Sequence, residues 1–290
     1  MDRINYLQGK IFNKIKQFSN NNFFFCTFSY SIGYGLLKFF KDKRNFIFII
    51  RYFFKEIKGI LLINNYEILK NKKNSSQYSK VIFTWGNQFN LFENYYFDNY
   101  FKQKSSDDMS ILWVVLYTGN INKNNFIGYE NVYFIVEKKI KPIEKILFFF
   151  KFAFNFLKTK KKNFINFLFY FSLHNIFRLK MKKLYDKFLH SEVELLLIPF
   201  EGQPFQLEAI KFIKDKSKKS KVIGYIHSYP SFPSHLIKKE NYPDKLIVSS
   251  EDQFNFFKSK IIDKENIKCF KSLRFNKKDP STMINKIFLP

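Results

Sequence analysis

The sequence predicts an α/β fold, with a Rossmann-like, mainly parallel sheet flanked by helices. Two short apolar runs, at residues 195–198 and 222–226, contain no charged side chain, which is typical of strands buried on both faces. Between them, residues 204–214 show the apolar spacing of a helix that begins at a proline. A strand, a helix and a second strand in this order make the two strands parallel. Three earlier apolar runs predict further strands of the same sheet, and they lie at residues 80–85, 111–117 and 132–136.

Three regions are predicted along the chain. They are a helical amino-terminal region over residues 1–75, a Rossmann-like domain over residues 76–275, and a linker with the start of a further strand over residues 276–290. Further helices are predicted at residues 23–40, 45–69, 95–102, 143–157, 164–189 and 251–260. Short strands are predicted at residues 245–248 and 267–271. None of the apolar stretches reaches the roughly 20 residues of a membrane-spanning helix.

The charge of the chain indicates several kinds of partner. A formal net charge of +26 accompanies 41 Phe and 17 Tyr residues. A mutational bias toward A/T-rich codons would produce this composition without any functional cause. Alternatively, a basic and aromatic-rich surface favours lipid headgroups, nucleic acid or phosphorylated substrates. Nucleic acid is not an expected partner, because the sequence has no helix-turn-helix, zinc-finger or RNP pattern.

The two cysteines, Cys26 and Cys269, lie far apart and have no CxxC or His-rich neighbours. This spacing predicts neither a disulfide framework nor a zinc site, and it is typical of a protein in a reducing cytoplasm. The first residues also lack the pattern of a signal peptide. We expect no metal and no cofactor.

Two ionisable residues are candidates for catalysis. Glu201 follows the strand at residues 195–198, and His227 follows the strand at residues 222–226. Ligands bind at the carboxyl ends of strands in open α/β sheets, and a carboxylate or imidazole there can act as a general base. Alternatively, Glu201 could cap its own helix, where negative charge is favourable, and His227 could be a core or loop histidine.

Five other residues are candidates for substrate binding. Trp85 ends the strand at residues 80–85 and Asn87 follows it; both would share the same crevice, although Trp85 could equally be a core residue. Gln203 could hydrogen-bond a ligand hydroxyl or simply solvate its turn. Ser228 adjoins His227, and Arg274 could bind a phosphate bidentately or form a surface ion pair.

Several of these residues belong to an ordered set of short motifs. Glu201, Gln203 and Phe205 form an E-x-Q-x-F turn, residues 224–227 read G-Y-I-H, and Pro243-Asp244 opens a strand. With S-L-R-F at residues 272–275, the order resembles the surface-carbohydrate biosynthesis glycosyltransferases of GT-B fold. A weaker similarity begins near residue 80, so that the resemblance covers residues 80–275.

The resemblance implies an architecture and an activity. In this family two Rossmann-like domains face each other across the active site, the first receiving the acceptor and the second holding the nucleotide-sugar donor. The implied reaction transfers a sugar, without a metal, to a lipid-linked or cell-surface glycan acceptor in O-antigen or capsule biosynthesis. The implied location is the cytoplasmic face of a bacterial plasma membrane, with peripheral attachment.

The end of the chain complicates this interpretation. Residues 284–289 begin like a new buried strand, which could be a final edge strand or the first strand of a second domain. We expect the second domain to be missing and the 290-residue chain to be inactive without a carboxyl-terminal domain partner. The alternatives are a non-catalytic fragment or a membrane-associated scaffold and, less favoured, a nucleic-acid-binding protein.

A stretch between residues 141 and 187 interleaves phenylalanine with lysine. An interfacial helix presents an apolar face to acyl chains and a basic face to headgroups. The stretch therefore predicts binding to an anionic membrane surface, unless it is a core-facing amphipathic helix in a lysine-rich protein.

Overall fold

The computed structural model describes residues 46–70, 78–119, 126, 128–158, 170–227, 242–258 and 264–270. Two predicted site residues, Ser228 and Arg274, lie outside the described residues. So do the predicted helix at residues 23–40 and the predicted strand at residues 284–289.

The described residues form five α-helices and ten strands. The helices are α1 (Phe46–Leu62), α2 (Pro142–Leu157), α3 (Leu173–Tyr185), α4 (Pro204–Lys216) and α5 (Glu251–Lys258). The strands are β1 (Asn65–Lys70), β2 (Lys80–Gly86), β3 (Phe97–Asp98), β4 (Gln103–Lys104), β5 (Ile111–Tyr117), β6 (Val132–Lys138), β7 (Leu195–Pro199), β8 (Lys221–Ile226), β9 (Lys245–Val248) and β10 (Ile267–Cys269).

Eight of the strands form one sheet in the order β1-β6-β5-β2-β7-β8-β9-β10. Every neighbouring pair is parallel except β1 and β6, which are antiparallel. The predicted α/β, Rossmann-like fold is therefore confirmed. Counted from β2, the parallel strands lie in the doubly wound order 3-2-1-4-5-6-7, which reverses between β2 and β7.

The sheet is covered on both faces. Successive residues of a strand point to opposite sides, so alternate residues enter different cores. In β5, Leu112, Val114 and Leu116 join one apolar cluster with residues of α3, α4 and α5, whereas Trp113 and Val115 join a second cluster on the other face. All seven residues of β5 are buried. This two-sided burial explains why the central strands lack a polar alternation.

The predicted helix over residues 45–69 is wrong after residue 62. Helix α1 ends at Leu62, and Asn65–Lys70 pairs with β6 as an antiparallel edge strand. Ile63 and Asn64 separate the two elements, and Tyr66 and Ile68 of the strand then pack against the first core cluster. The open edge of β6 supplies hydrogen-bond partners that local helical periodicity does not reveal.

The predicted helix over residues 95–102 is also wrong. This segment contains β3 and the tight loop that leads to its antiparallel partner β4. The Asp98 carboxylate accepts hydrogen bonds from the backbone N–H groups of Tyr100 and Phe101. An aspartate that binds its own following backbone competes with helix formation.

The other predicted helices that fall on described residues have the correct type, although some of their ends differ. Within the predicted helix at residues 164–189, α3 begins at Leu173, because the Ser172 hydroxyl accepts a hydrogen bond from the Asn175 N–H and caps it. None of the helices that the structure describes is long and apolar enough to cross a membrane.

Candidate functional site

The candidate site lies at the carboxyl edge of the sheet, where the strand order reverses. Strand β2 ends at Gly86 beside β7, and β7 ends at Pro199 beside β8, with Pro199 in register with Tyr225. Each strand is followed by a residue that sequence analysis selected. The switch point of a doubly wound sheet leaves a crevice at this edge, because the flanking connections turn to opposite faces.

Glu201 and His227 meet at this edge. The Glu201 Oε1 atom lies 3.4 Å from His227 Nε2, which is within ion-pair distance when the imidazole is protonated. The His227 side chain is 6% exposed and the Glu201 side chain 32%, so the carboxylate is the more accessible of the two. The prediction that the two residues occupy the same sheet edge is confirmed.

Gln203 positions the Glu201 carboxylate. Its Nε2 atom donates a 2.6 Å hydrogen bond to Glu201 Oε2. The carboxylate thus contacts two side chains, those of Gln203 and His227, rather than the backbone N–H groups that begin α4. Glu201 does not act as the cap of its own helix.

The Gln206 side chain stabilises the turn between β7 and α4 through hydrogen bonds, and sequence analysis did not select it. Its buried Oε1 atom accepts hydrogen bonds from the N–H groups of Glu201 and Gln203, at 3.0 and 3.1 Å. Its Nε2 donates to the Pro199 carbonyl. Gly202 adopts φ 69°, the left-handed conformation that glycine accepts without a steric penalty. The sequence signal that could have revealed Gln206 is an amide side chain among apolar residues in the first turn of α4.

An aromatic wall stands beside the Glu201–His227 pair. The ring centroids of Tyr100 and His227 are 4.6 Å apart, with an edge-on angle of 72°. Trp85 lies 5.7 Å from Tyr100 and 5.9 Å from Phe205, so it connects the loop after β3 with the start of α4. Trp85 is half-buried. It is therefore not an enclosed core tryptophan, and one part of its surface faces the crevice.

Asp98 holds Tyr100 in this wall and was also missed by sequence analysis. Its Oδ1 accepts hydrogen bonds from Tyr100 N (2.8 Å) and Phe101 N (2.7 Å). Its Oδ2 accepts from the hydroxyls of Thr84 (2.6 Å) and Tyr96 (3.0 Å). The carboxyl is completely buried, and loss of hydration raises its pKa above the ordinary value despite these donors. Asp98 therefore acts as an internal anchor for the loop.

A cavity of about 740 Å³ opens along the same edge and shares Trp85 with the aromatic wall. This volume is typical of small-molecule sites. Three further aromatic residues, Tyr66, Tyr117 and Phe177, and two charged residues, Glu137 and Lys139, contribute to its lining. The other lining residues are Asn64, Leu116, Thr118 and Gly119. The cavity provides apolar faces together with a few polar groups that could orient a ligand.

Asn87 lies at this edge directly after β2, but its side chain is used locally. Its Oδ1 accepts a 2.9 Å hydrogen bond from the Phe89 N–H and caps a short 3-10 helix at residues Gln88–Asn90. Thus the described part of the predicted site brings together Glu201, His227, Gln203 and Trp85, with Asn87 at the margin.

Comparisons of the chain with protein-family models, curated proteins and solved structures gave no match. Among the residues described by the structure, no three His, Cys, Asp or Glu side chains are grouped so that they could hold a metal ion. The functional groups at this sheet edge are the Glu201 carboxylate, the His227 imidazole and the aromatic rings beside them.

Proposed function

We propose that this chain provides the acceptor side of a glycosyltransferase, which transfers a sugar from a nucleotide-sugar donor to a hydroxyl group of a glycan or lipid-linked acceptor. The observation that carries the proposal is the 3.4 Å contact between Glu201 and His227 at the topological switch point. The motif resemblance supports the same reaction. It also assigns the nucleotide of the donor to a second domain that would face this edge.

In the proposed reaction Glu201 is the general base. The acceptor hydroxyl gives its proton to the carboxylate while the hydroxyl oxygen forms a bond to the anomeric carbon of the donor. The bond from that carbon to the phosphate oxygen breaks, and the nucleoside diphosphate leaves with the electron pair. His227 contacts the Glu201 carboxylate and helps to position it. The hydrogen bond from Gln203 fixes the rotation of the carboxylate.

The cavity beside Trp85 supports binding of a saccharide acceptor. Its aromatic residues Trp85, Tyr66 and Phe177 offer apolar surfaces against which the C–H face of a sugar ring can pack. Glu137 and Lys139 offer an acceptor and a donor for sugar hydroxyls. This distribution of few polar groups among apolar surfaces is typical of sites that fix the orientation of a small ligand.

Acceptor binding can be tested first, because it requires this part of the site alone. The chain contains two tryptophans, and Trp113 is buried with 1% exposure, whereas Trp85 lines the cavity. A saccharide or glycolipid that occupies the cavity should change the fluorescence of Trp85, and Trp85→Phe should remove the change. A panel of acceptors that leaves the fluorescence unchanged would contradict the proposed acceptor site.

Turnover tests the assignment of the base. Consumption of nucleotide sugar is measured for the chain joined to the donor-binding carboxyl-terminal domain that the proposal requires, with acceptor present, in the wild-type protein, Glu201→Gln and His227→Asn. Loss of a general base lowers the rate by about 10²- to 10⁴-fold. Glu192→Gln is the matched control, since Glu192 is an exposed carboxylate before β7, at the opposite edge of the sheet. Full activity of both site variants would exclude this assignment.

A further inference from the structure

Helix α2 is apolar on two opposite sides. Its inner side packs in a small cluster, where Phe152 and Phe156 are buried against Phe171 of the following segment, Ile60 of α1 and Ile176 of α3. This contact is a stable core for the helix. It leaves the opposite side of α2 without a neighbour among the described residues of the sheet.

That opposite side carries a continuous row of large apolar side chains, which we call the outer stripe. Its members are Ile143, Ile146, Leu147, Phe150, Phe154 and Leu157. The last five lie three, four, seven, eleven and fourteen residues after Ile143, which places all six within about 100° of the helix circumference. Phe150 is 64% exposed and Phe154 is 56% exposed. Single exposed apolar residues are ordinary, whereas a stripe of six on one helix marks an interaction surface.

Basic residues border the outer stripe. Lys151 and Lys158 are exposed next to it, and Lys158 Nζ lies 4.5 Å from the centre of the Phe154 ring. Glu144 is the sole acidic residue of α2. An apolar stripe with a cationic margin fits a surface that offers both acyl chains and negative headgroups.

Helix α1 lies against α2 and exposes residues of the same kind. Lys145 Nζ of α2 donates a 2.7 Å hydrogen bond to the Leu62 carbonyl, at the end of α1. The exposed residues of α1 include two large apolar side chains and three basic ones: Phe54, Leu62, Arg51, Lys55 and Lys58. The basic and apolar composition is therefore shared by two neighbouring helices.

We propose that the outer stripe binds the surface of an anionic lipid bilayer, with α2 lying parallel to the membrane plane. Charge complementarity selects this partner. A second copy of the chain would bring another net charge of +26 and another pair of stripe-bordering lysines against the first. A bilayer containing anionic lipids instead attracts each lysine and accepts the apolar side chains. With 16 residues the helix is about 24 Å long, a length suited to the interface.

This attachment stands independently of the proposed sugar transfer, but it has a consequence for the site. Lys139, which lines the 740 Å³ cavity, precedes the first residue of α2 by three positions. Binding through the outer stripe therefore holds the start of α2, and with it this part of the cavity, close to the headgroup layer. A ligand carried on a lipid could reach the cavity without leaving the membrane surface.

Vesicle binding of the full chain tests the proposal. The wild-type protein should bind vesicles containing about a third phosphatidylglycerol and should bind phosphatidylcholine vesicles much more weakly, with the difference reduced at high salt. Lys151→Gln with Lys158→Gln should lower the affinity for anionic vesicles by about five-fold for each lysine. Lys218→Gln with Lys219→Gln removes the same charge from an exposed loop before β8 and should have a smaller effect.

The apolar part of the contact needs its own pair of variants. Phe150→Ser with Phe154→Ser should weaken vesicle binding by about tenfold or more, because two large apolar groups no longer leave water. The control is Phe89→Ser with Met109→Ser, which removes two apolar side chains that are 79% and 47% exposed elsewhere. Circular dichroism melting curves identify any variant that has lost its fold. As a second readout, Phe150→Trp should be quenched by brominated acyl chains and Phe89→Trp should not.

Three results would overturn the proposal. The first is wild-type protein that remains unbound to anionic vesicles. The second is equal binding by the Phe150 and Phe154 double variant and its control, together with no quenching of the tryptophan at position 150. The third is a dimer in solution that the same double variant converts to a monomer while vesicle binding is absent, which would assign the outer stripe to self-association.

Discussion

The Asp98 anchor yields a prediction with two distinguishable variants. Asp98→Ala removes the acceptor of four hydrogen bonds, two of them from the buried backbone N–H groups of Tyr100 and Phe101. Asp98→Asn keeps one carbonyl oxygen for these N–H groups. Its amide can donate to the hydroxyls of Thr84 and Tyr96, and the Tyr96 hydroxyl can in turn donate to the Trp85 carbonyl at 3.0 Å. The asparagine side chain can therefore satisfy nearly all of these hydrogen-bonding groups, whereas alanine can satisfy none of them.

The expected magnitudes follow from the number of donors left without an acceptor. Each buried unsatisfied donor costs about 1 to 3 kcal/mol, so Asp98→Ala should lower the free energy of unfolding by about 4 kcal/mol. Asp98→Asn should lower it by about 1 kcal/mol, because it loses a charge-assisted contact and only the Thr84 hydroxyl loses its acceptor. In urea, with a slope of about 3 kcal/mol per molar, the alanine variant should unfold about 1.3 M earlier than the wild-type protein.

The difference in unfolding free energy between the wild-type protein and Asp98→Asn should change with pH in one direction. Burial raises the pKa of the Asp98 carboxyl in the folded protein above its ordinary value. Its stabilising contribution is complete below the unfolded pKa of about 3.9 and is lost as pH rises through the folded pKa. The wild-type protein should therefore lose stability relative to Asp98→Asn as pH rises from about 4 toward neutrality.

Urea unfolding followed by tryptophan fluorescence and circular dichroism measures both effects. Equal midpoints for Asp98→Ala and the wild-type protein would refute the assignment of Asp98 as an anchor. A difference between wild type and Asp98→Asn that stays constant across this pH range would refute the raised pKa. The Tyr100 side chain should also loosen in Asp98→Ala, and this is checked as increased quenching of Trp85 by acrylamide.

Two further substitutions test how the helices and strands beneath the site are held. Glu208→Ala leaves the buried guanidinium of Arg178 without the carboxylate that it contacts at 2.7 Å, and should lower the free energy of unfolding by about 3 to 5 kcal/mol. Thermal melting should show this loss, while the exposed Glu192→Ala stays within about 0.5 kcal/mol of the wild type; equal melting of both variants would contradict it. Gly224→Ala places a Cβ 2.7 Å from Pro243 Cγ, so urea unfolding should reveal a loss of about 1 to 3 kcal/mol, and an unchanged midpoint would show that the strand relaxes.

The central strands could be predicted from sequence because their signal is local. Strand β5 has the predicted bounds, and β7 and β8 extend the predicted runs by one residue each. A strand buried on both faces requires an uninterrupted apolar run, and the intervening helix makes its neighbours parallel. The same connectivity places Glu201 and His227 at one edge of the sheet without any knowledge of distant contacts.

The errors occurred where a distant partner overrides the local pattern. Residues 65–70 are short and partly apolar, and they become a strand because β6, about 65 residues later in the chain, offers an unpaired edge. Residues 95–102 contain enough apolar side chains for a helix. The two hydroxyls and two N–H groups gathered around Asp98 fix a loop instead, because burying that carboxylate requires all of its hydrogen bonds.

The sequence by itself thus determined a Rossmann-like sheet, its carboxyl-edge residues and a helix rich in phenylalanine and lysine. Only the tertiary structure decided the 3.4 Å approach of Glu201 to His227, since a turn braced by Gln206 sets the direction of the carboxylate. It also decided which side of α2 is exposed. A helix with apolar residues on two opposite sides has no sequence pattern that tells which side is buried, and the contact of Phe152 with Phe171 shows which side it is.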